Sequence, residues 1–196
     1  VTSAAKDSAN LRDRIVDEAT RLFAKQGFAG TSVRELVEAS NCTKPALYYY
    51  FDSKDALFLE IIETHSGAIE NLMRLAIDGE GSLRQRIHGM ADAFVAYAQA
   101  NPDAMKLMIR IEGAPDDSCA NFDFEANEES HMAIMTEIFA RGATDGELRD
   151  GLDPTDCALA LAGALHFQFS EAVMKSDWDR ARYHRLIDLL FEGIAP

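Results

Sequence analysis

Apolar residues recur at helical spacing from one end of this chain to the other. Near the start they stand at Leu11, Ile15, Ala19, Leu22 and Phe23. Near the end they stand at Tyr183, Leu186, Ile187, Leu190, Phe191 and Ile194, which is i, i+3, i+4, i+7, i+8, i+11. That period paints one face of a helix, and no segment shows the strict alternation of a half-buried strand. With only five prolines in 196 residues to break it, the pattern predicts an all-α protein of about nine helices. An apolar share of 47% and a charged share of 27% suit a folded domain and exclude disorder over most of the chain. The longest apolar run, Cys157 to Leu165, is far short of the about twenty residues a membrane span needs, so no membrane is expected. Residues 1–10 are small and polar, carry no targeting pattern, and are expected to form a ragged tail.

The three cysteines, Cys42, Cys119 and Cys157, are odd in number and far apart. They predict a reducing, cytoplasmic setting with neither a disulfide framework nor a metal site. Asn41-Cys42-Thr43 matches a glycosylation acceptor, which means nothing in that setting. The net charge of −14 argues against a nucleic-acid binder when the chain is taken whole. Its distribution reverses the argument. Residues 1–58 hold eight Lys/Arg and eight Asp/Glu, so the whole negative excess falls on the rest. An acidic body is repelled by DNA and leaves the N-terminal part to face it.

That part carries the informative pattern. A first helix over about 10–26 is closed by Gly27, a left-handed cap. Ser32-Val33-Arg34-Glu35 reads as a capping box that opens a short second helix to about Ala39. Ser40-Asn41-Cys42 is a tight turn in which Asn41 tolerates a left-handed backbone. Thr43 caps a third helix with Pro45 in its first turn, and Asp52-Ser53 precedes a long fourth helix over 54–77. Two short helices joined by three residues behind a longer one make a helix-turn-helix, whose second helix must enter a major groove about 12 Å wide. Leu47 and Phe51, four apart, tie that helix to the core. Tyr48, Tyr49 and Tyr50 span about 200° around it, so they cannot all be buried core.

The run from Leu11 to Ile62 resembles the DNA-binding domain of the TetR family of bacterial transcriptional regulators. The matching residues are Ile15-x3-Ala19-x2-Leu22-Phe23-x3-Gly27-Phe28, then Thr31-Ser32-Val33-x2-Leu36, then Lys44-x2-Leu47-Tyr48-Tyr49-Tyr50-Phe51-x-Ser53-Lys54-x2-Leu57. Asn41-Cys42 departs from the usual glycine and small or branched residue, and Tyr50 stands where histidine is common. The resemblance implies that Lys44, Pro45, Ala46 and Tyr49 read base edges or thymine methyls and that Tyr48 meets a phosphate. Thr31, Ser32 and Thr43 would cap helices and offer hydroxyls to phosphate, and Lys54 would lie near a backbone phosphate. Arg34, on the exposed side of the second helix, would reach a base or phosphate. The unusual Tyr50 leaves its own contact open.

The resemblance also implies two domains, a helix-turn-helix domain over 1–53 and a helical ligand-binding and dimerisation domain over 54–196. Phe94, Tyr97, Met105, Met108, Phe122, Phe124, His131, Met135, Phe139, His166 and Phe169 are candidate lining for a ligand pocket, the methionines being adaptable. The last two helices, over 153–175 and 178–194, are joined so closely that they must pack antiparallel. The first is rich in small residues, and the pair is expected to form a four-helix dimer interface. Its candidate residues are Ala158, Ala162, Leu165, Tyr183, Leu186, Ile187, Leu190 and Phe191. The partners expected are therefore a palindromic DNA operator, a small largely apolar effector and a second copy of the chain, with no cofactor. The alternative is an activator of the same fold, or a helical interaction protein without a sensed ligand. An enzyme does not: Glu128-x-x-His131 occurs once, whereas di-iron bundles need it twice, and Glu63-Thr64-His65 has the wrong spacing.

Overall fold

The computed structural model describes residues 2–113 and 122–194, with side chains from residue 10 onward. Cys119 and the loop expected over 114–120 lie outside the described residues. Among the described residues there are nine α-helices and no strand: α1 Thr2–Gln26, α2 Val33–Ala39, α3 Lys44–Tyr50, α4 Lys54–Asp78, α5 Leu83–Ala100, α6 Pro102–Gly113, α7 Phe124–Thr144, α8 Pro154–Lys175 and α9 Arg180–Ile194. Helix α1 begins at Thr2, eight residues before the expected start, where a ragged tail was predicted. Residues 2–9 contain three alanines and no breaker, so propensity lets the helix run on.

The chain divides into two compact units. The first holds Val1–His65 with Asp103–Asp123, and the second holds Ser66–Pro102 with Phe124–Pro196. Helix α4 therefore contributes residues to both, and the segment 1–53 lies within the first. In that first unit Ile15, Ala19, Phe23, Leu36, Leu47, Leu57 and Ile61 form the buried centre. Phe23, Phe28 and Phe58 pack as a triangle of rings with centroids 4.9–5.7 Å apart. Met105 and Met108 are buried in this unit, and Phe122 also belongs to it.

In the second unit α7 packs on α8, α8 on α9, and α9 on α5. The core joins Leu83, Ile87, Val95, Ile138, Phe139, Leu161, Tyr183, Ile187 and Phe191. Helix α5 comes close to α7 at Gly142, where a Cβ would lie 2.4 Å from Leu83 Cδ2. Its start is capped by Ser82 and Gln85, and the Leu83 N–H also donates to Glu147 at 2.6 Å. Arg86 is buried beside them, with Nη1 donating to the Ala76 carbonyl at 3.3 Å and Nη2 3.5 Å from Glu147. Between α5 and α9, His88 pairs with Asp188 and His184 with Asp92, and the two rings stack edge to face at 4.3 Å.

Two expectations for this unit are corrected. Ala158, Tyr183, Ile187 and Phe191 belong to the protomer's own core and are not available to a partner. Ala162, Leu165, Leu186 and Leu190 are half-buried. The apolar side chains that α8 and α9 present outward are Leu159, Phe167, Met174 and Leu189. His166 is exposed on that outer side of α8 and lines no interior. Helix α8 as a whole is long and apolar enough to cross a membrane by length and composition, as the core helix of a folded domain can also be, although its longest unbroken run is short. Here it is packed against α7 and α9.

Candidate nucleic-acid interface

The two short helices of the first unit are built by local hydrogen bonding. Ser32 Oγ accepts the Glu35 N–H at 3.2 Å, and the Glu35 carboxylate accepts the Ser32 N–H at 2.8 Å. The Ser32 hydroxyl also donates to that carboxylate at 2.7 Å, and Gln26 Nε2 adds a third donor at 3.1 Å. These donors, the Ser32 backbone first, hold the Glu35 carboxyl down to about 2. At the end of α2 the chain turns through Asn41, whose φ of 47° lies in the left-handed region, and the Cys42 N–H closes back on the Val37 carbonyl at 3.1 Å. Ser40 is buried, and its carbonyl accepts Arg14 Nε at 2.7 Å. The turn is thereby pinned to α1. Sequence reasoning gave Arg14 no role, because nothing local shows which carbonyl a long side chain will reach.

Thr43 then caps α3 by accepting the Ala46 N–H at 3.3 Å, with Pro45 in the first turn. Leu47 and Phe51 are buried and fix the helix on the head. The opposite face is open. Lys44, Pro45, Tyr48 and Tyr49 are exposed, and Ala46 and Tyr50 are half-exposed. Tyr49 is 82% exposed, its ring meeting Tyr50 edge to face at 5.0 Å. Lys44 Nζ lies 5.8 Å from the Tyr48 ring centre. Arg34 is exposed on α2, with its Nε donating to Glu38 at 2.8 Å.

The fold turns two of the candidate phosphate ligands inward. Thr31 is buried, and its hydroxyl donates to the Gly27 carbonyl at 2.8 Å. It closes the end of α1 and offers no hydroxyl to solvent. Lys54 Nζ donates to the Phe28 and Thr31 carbonyls at 2.9 Å each and sits 3.9 Å above the Phe28 ring centre. The ammonium ties the start of α4 to the connector after α1. Ser32 remains exposed while it caps its helix, and so does Thr43.

The candidate pocket residues divide between the units. Met105, Met108 and Phe122 fall in the first; Phe94, Tyr97, Phe124, His131, Met135, Phe139 and Phe169 fall in the second. Within the second, Phe94 meets Phe169 at 5.0 Å, and Phe169 meets Trp178 at 5.9 Å. Met135 and Phe139 are buried in its core. Trp178 was not foreseen as part of this aromatic group, because it stands in the short connection between α8 and α9.

A three-helix head with a short, exposed, aromatic and basic third helix defines a DNA-binding transcriptional regulator of the helix-turn-helix class. Comparison with known proteins agrees. Residues 15–61 match the sequence model of the bacterial regulatory proteins of the tetR family. The HTH-type transcriptional repressor NicS of Pseudomonas putida is 24% identical over 170 residues, covering 83% of this chain and 77% of that protein. The HTH-type transcriptional repressor SCO4008 of Streptomyces coelicolor is 23% identical over 172 residues, covering 88% and 85%. In fold, the chain is similar to the transcriptional regulator FadR of Bacillus subtilis, solved in complex with stearoyl-CoA. The TM-score is 0.77 at 16% identity, over 93% of this chain and 99% of that one. Residues 15–61 carry the DNA-binding domain of the TetR family of bacterial transcriptional regulators. The relatives are regulators of transcription, and the chain is one of them rather than an enzyme.

Proposed function

We propose that this protein is a homodimeric repressor that binds a palindromic operator in the cytoplasm and leaves it when a small, largely apolar molecule binds its second unit. The exposed face of α3 carries this reading: Lys44, Pro45 and Tyr49 project from a helix that Leu47 and Phe51 hold rigidly from behind. Those three, with Ala46, face base edges, and Tyr48 reaches a phosphate. Ser32, Arg34, Thr43 and Tyr50 flank them. Thr31 and Lys54 serve the head's own structure instead.

Dimer formation uses the outward apolar side chains of α8 and α9, namely Leu159, Phe167, Met174 and Leu189. Side chains of this size, collected on two antiparallel helices, suit a four-helix contact about a two-fold axis. Such a dimer sets two copies of α3 about 34–36 Å apart, or a multiple of that, to read two half-sites. The effector acts through α4, which runs from the first unit into the second as one helix. Release requires only that the effector bind the DNA-free arrangement more tightly than the bound one.

The test is selection from a random DNA pool by the full chain at physiological salt, where non-specific binding is suppressed. An enriched palindrome is expected. A dimer that enriches no sequence, with or without cell extract as a source of effector, would overturn the reading.

A further inference from the structure

The outward side of α8 reads nearly the same from either end. Between residues 159 and 174, six positions share an arc of about 100° around the helix: Leu159, Gly163, His166, Phe167, Ser170 and Met174. All are exposed except Ser170, which is half-buried. Helical period alone supplies their spacing, but it does not set the order of sizes. A large apolar side chain stands at each end, a small residue inside it, and two rings at the middle. The midpoint falls between His166 and Phe167. A Cβ built on Gly163 would meet nothing within 4 Å, so the gap at this small residue opens outward and is not filled by the protomer's own core.

Helix α9 has a centre of its own, defined by charge. Its exposed side carries Arg185, Leu189 and Glu192. Two antiparallel copies of this helix set Leu189 on Leu189 and bring Arg185 beside Glu192 on both sides of it. Arg185 pairs with Asp179 at 3.1 Å through one nitrogen of an exposed guanidinium, which keeps further donors for a second carboxylate. The two centres agree. The midpoint of the α8 stripe lies eight to nine residues before the end of α8 at Lys175, and the midpoint of Arg185 and Glu192 lies eight to nine residues after the start of α9 at Arg180. The helices run antiparallel from one short connection, so both midpoints stand at the same level. One two-fold axis, perpendicular to both helices, serves the apolar stripe and the charged one together.

We propose that a second copy of this chain seats on the face in a single register, with the axis between His166 and Phe167. The His166 ring then lies against the partner's Phe167, Leu159 against the partner's Met174, Gly163 beside the partner's Ser170, and Arg185 pairs with the partner's Glu192. This rests on the reading that α8 and α9 form the dimer contact, and the experiment separates the two. In the full chain, Cys42→Ser, Cys119→Ser and Cys157→Ala remove the native thiols, and analytical ultracentrifugation checks the dimer mass. Single cysteines are then introduced, oxidised with copper phenanthroline and scored for covalent dimers on non-reducing gels. A disulfide needs Cα atoms within about 7 Å. At 1.5 Å per residue, positions 166 and 167 lie about 1.5 Å along the axis from their own copies, whereas 159 and 174 lie more than about 20 Å away. His166→Cys and Phe167→Cys should therefore link. Leu159→Cys and Met174→Cys should not link singly and should link when combined. Arg185→Glu should weaken the dimer by about tenfold or more, and Glu192→Arg added to it should restore the affinity. A dimer that links singly at 159 or 174 but not at the middle overturns the register and leaves the contact face standing. Failure of the double charge reversal to restore the dimer overturns the shared axis. A monomer, or a dimer that links at none of these positions, overturns both the register and the face.

Discussion

Tyr49 and Lys54 are five residues apart and do opposite work. Tyr49 has its ring in solvent, so Tyr49→Ala should change stability by no more than about 0.5 kcal/mol. It should nonetheless weaken binding to a selected operator by about 1–3 kcal/mol, read by fluorescence anisotropy. Lys54 gives its ammonium to two carbonyls and an aromatic face, so Lys54→Ala should lower stability by about 1.5–3 kcal/mol in thermal or urea unfolding. The salt dependence of DNA binding should be unchanged, whereas loss of a phosphate contact would reduce its slope by about one. A shallower slope with unchanged stability would return Lys54 to the phosphate. The caps Ser32 and Thr43 and the left-handed Asn41 were legible in the sequence because each acts on backbone within three residues. The directions of Thr31, Lys54 and Arg14 were not, because their partners lie on backbone that only folding brings near or leaves free.

At the scale of elements, periodicity placed the helices within a few residues, except where propensity alone extended α1. The short helix α2 depends on its cap, and the cap depends on an ionised Glu35. Its carboxyl titrates at about 2 in the folded chain, below its ordinary value of 4.5. A group held below its unfolded value stabilises the fold above the unfolded value, and that help is lost as pH falls toward the folded one. Thermal unfolding followed from pH 6 to pH 2 should therefore lose stability through that window, and Glu35→Gln should flatten that part of the profile. An equal slope in the variant would remove Glu35 as its cause. The α5–α9 contact has a different origin. His88, His184, Asp92 and Asp188 are spread over a hundred residues of sequence, and no local pattern announced that they meet.

At the scale of the molecule, the outer face of α8 and α9 is the next feature to test. Phe167 and Met174 are 66% and 77% exposed, so charged replacements there leave the protomer core untouched. Phe167→Asp with Met174→Asp should halve the mass seen by analytical ultracentrifugation while the helical circular dichroism stays the same. Ile187→Asp, by contrast, buries a charge in the core and should unfold the second unit. A monomer mass before substitution would overturn the proposed dimer, and a dimer mass unchanged by the outer pair would overturn its placement on this face. The α9 residues expected at that contact are its most periodic ones, and periodicity marks the side that is buried first. A helix apolar all round, as α8 nearly is, has a second apolar side that its pattern cannot rank against the first. By itself the sequence determined the all-α class, the capped helix-turn-helix and the confinement of negative charge to the body, because these follow from neighbours along the chain. Only the tertiary structure decided which hydroxyl and ammonium face inward and which stripe of α8 stays exposed. Each of those depends on distant segments competing for the same space, and that competition is settled by packing.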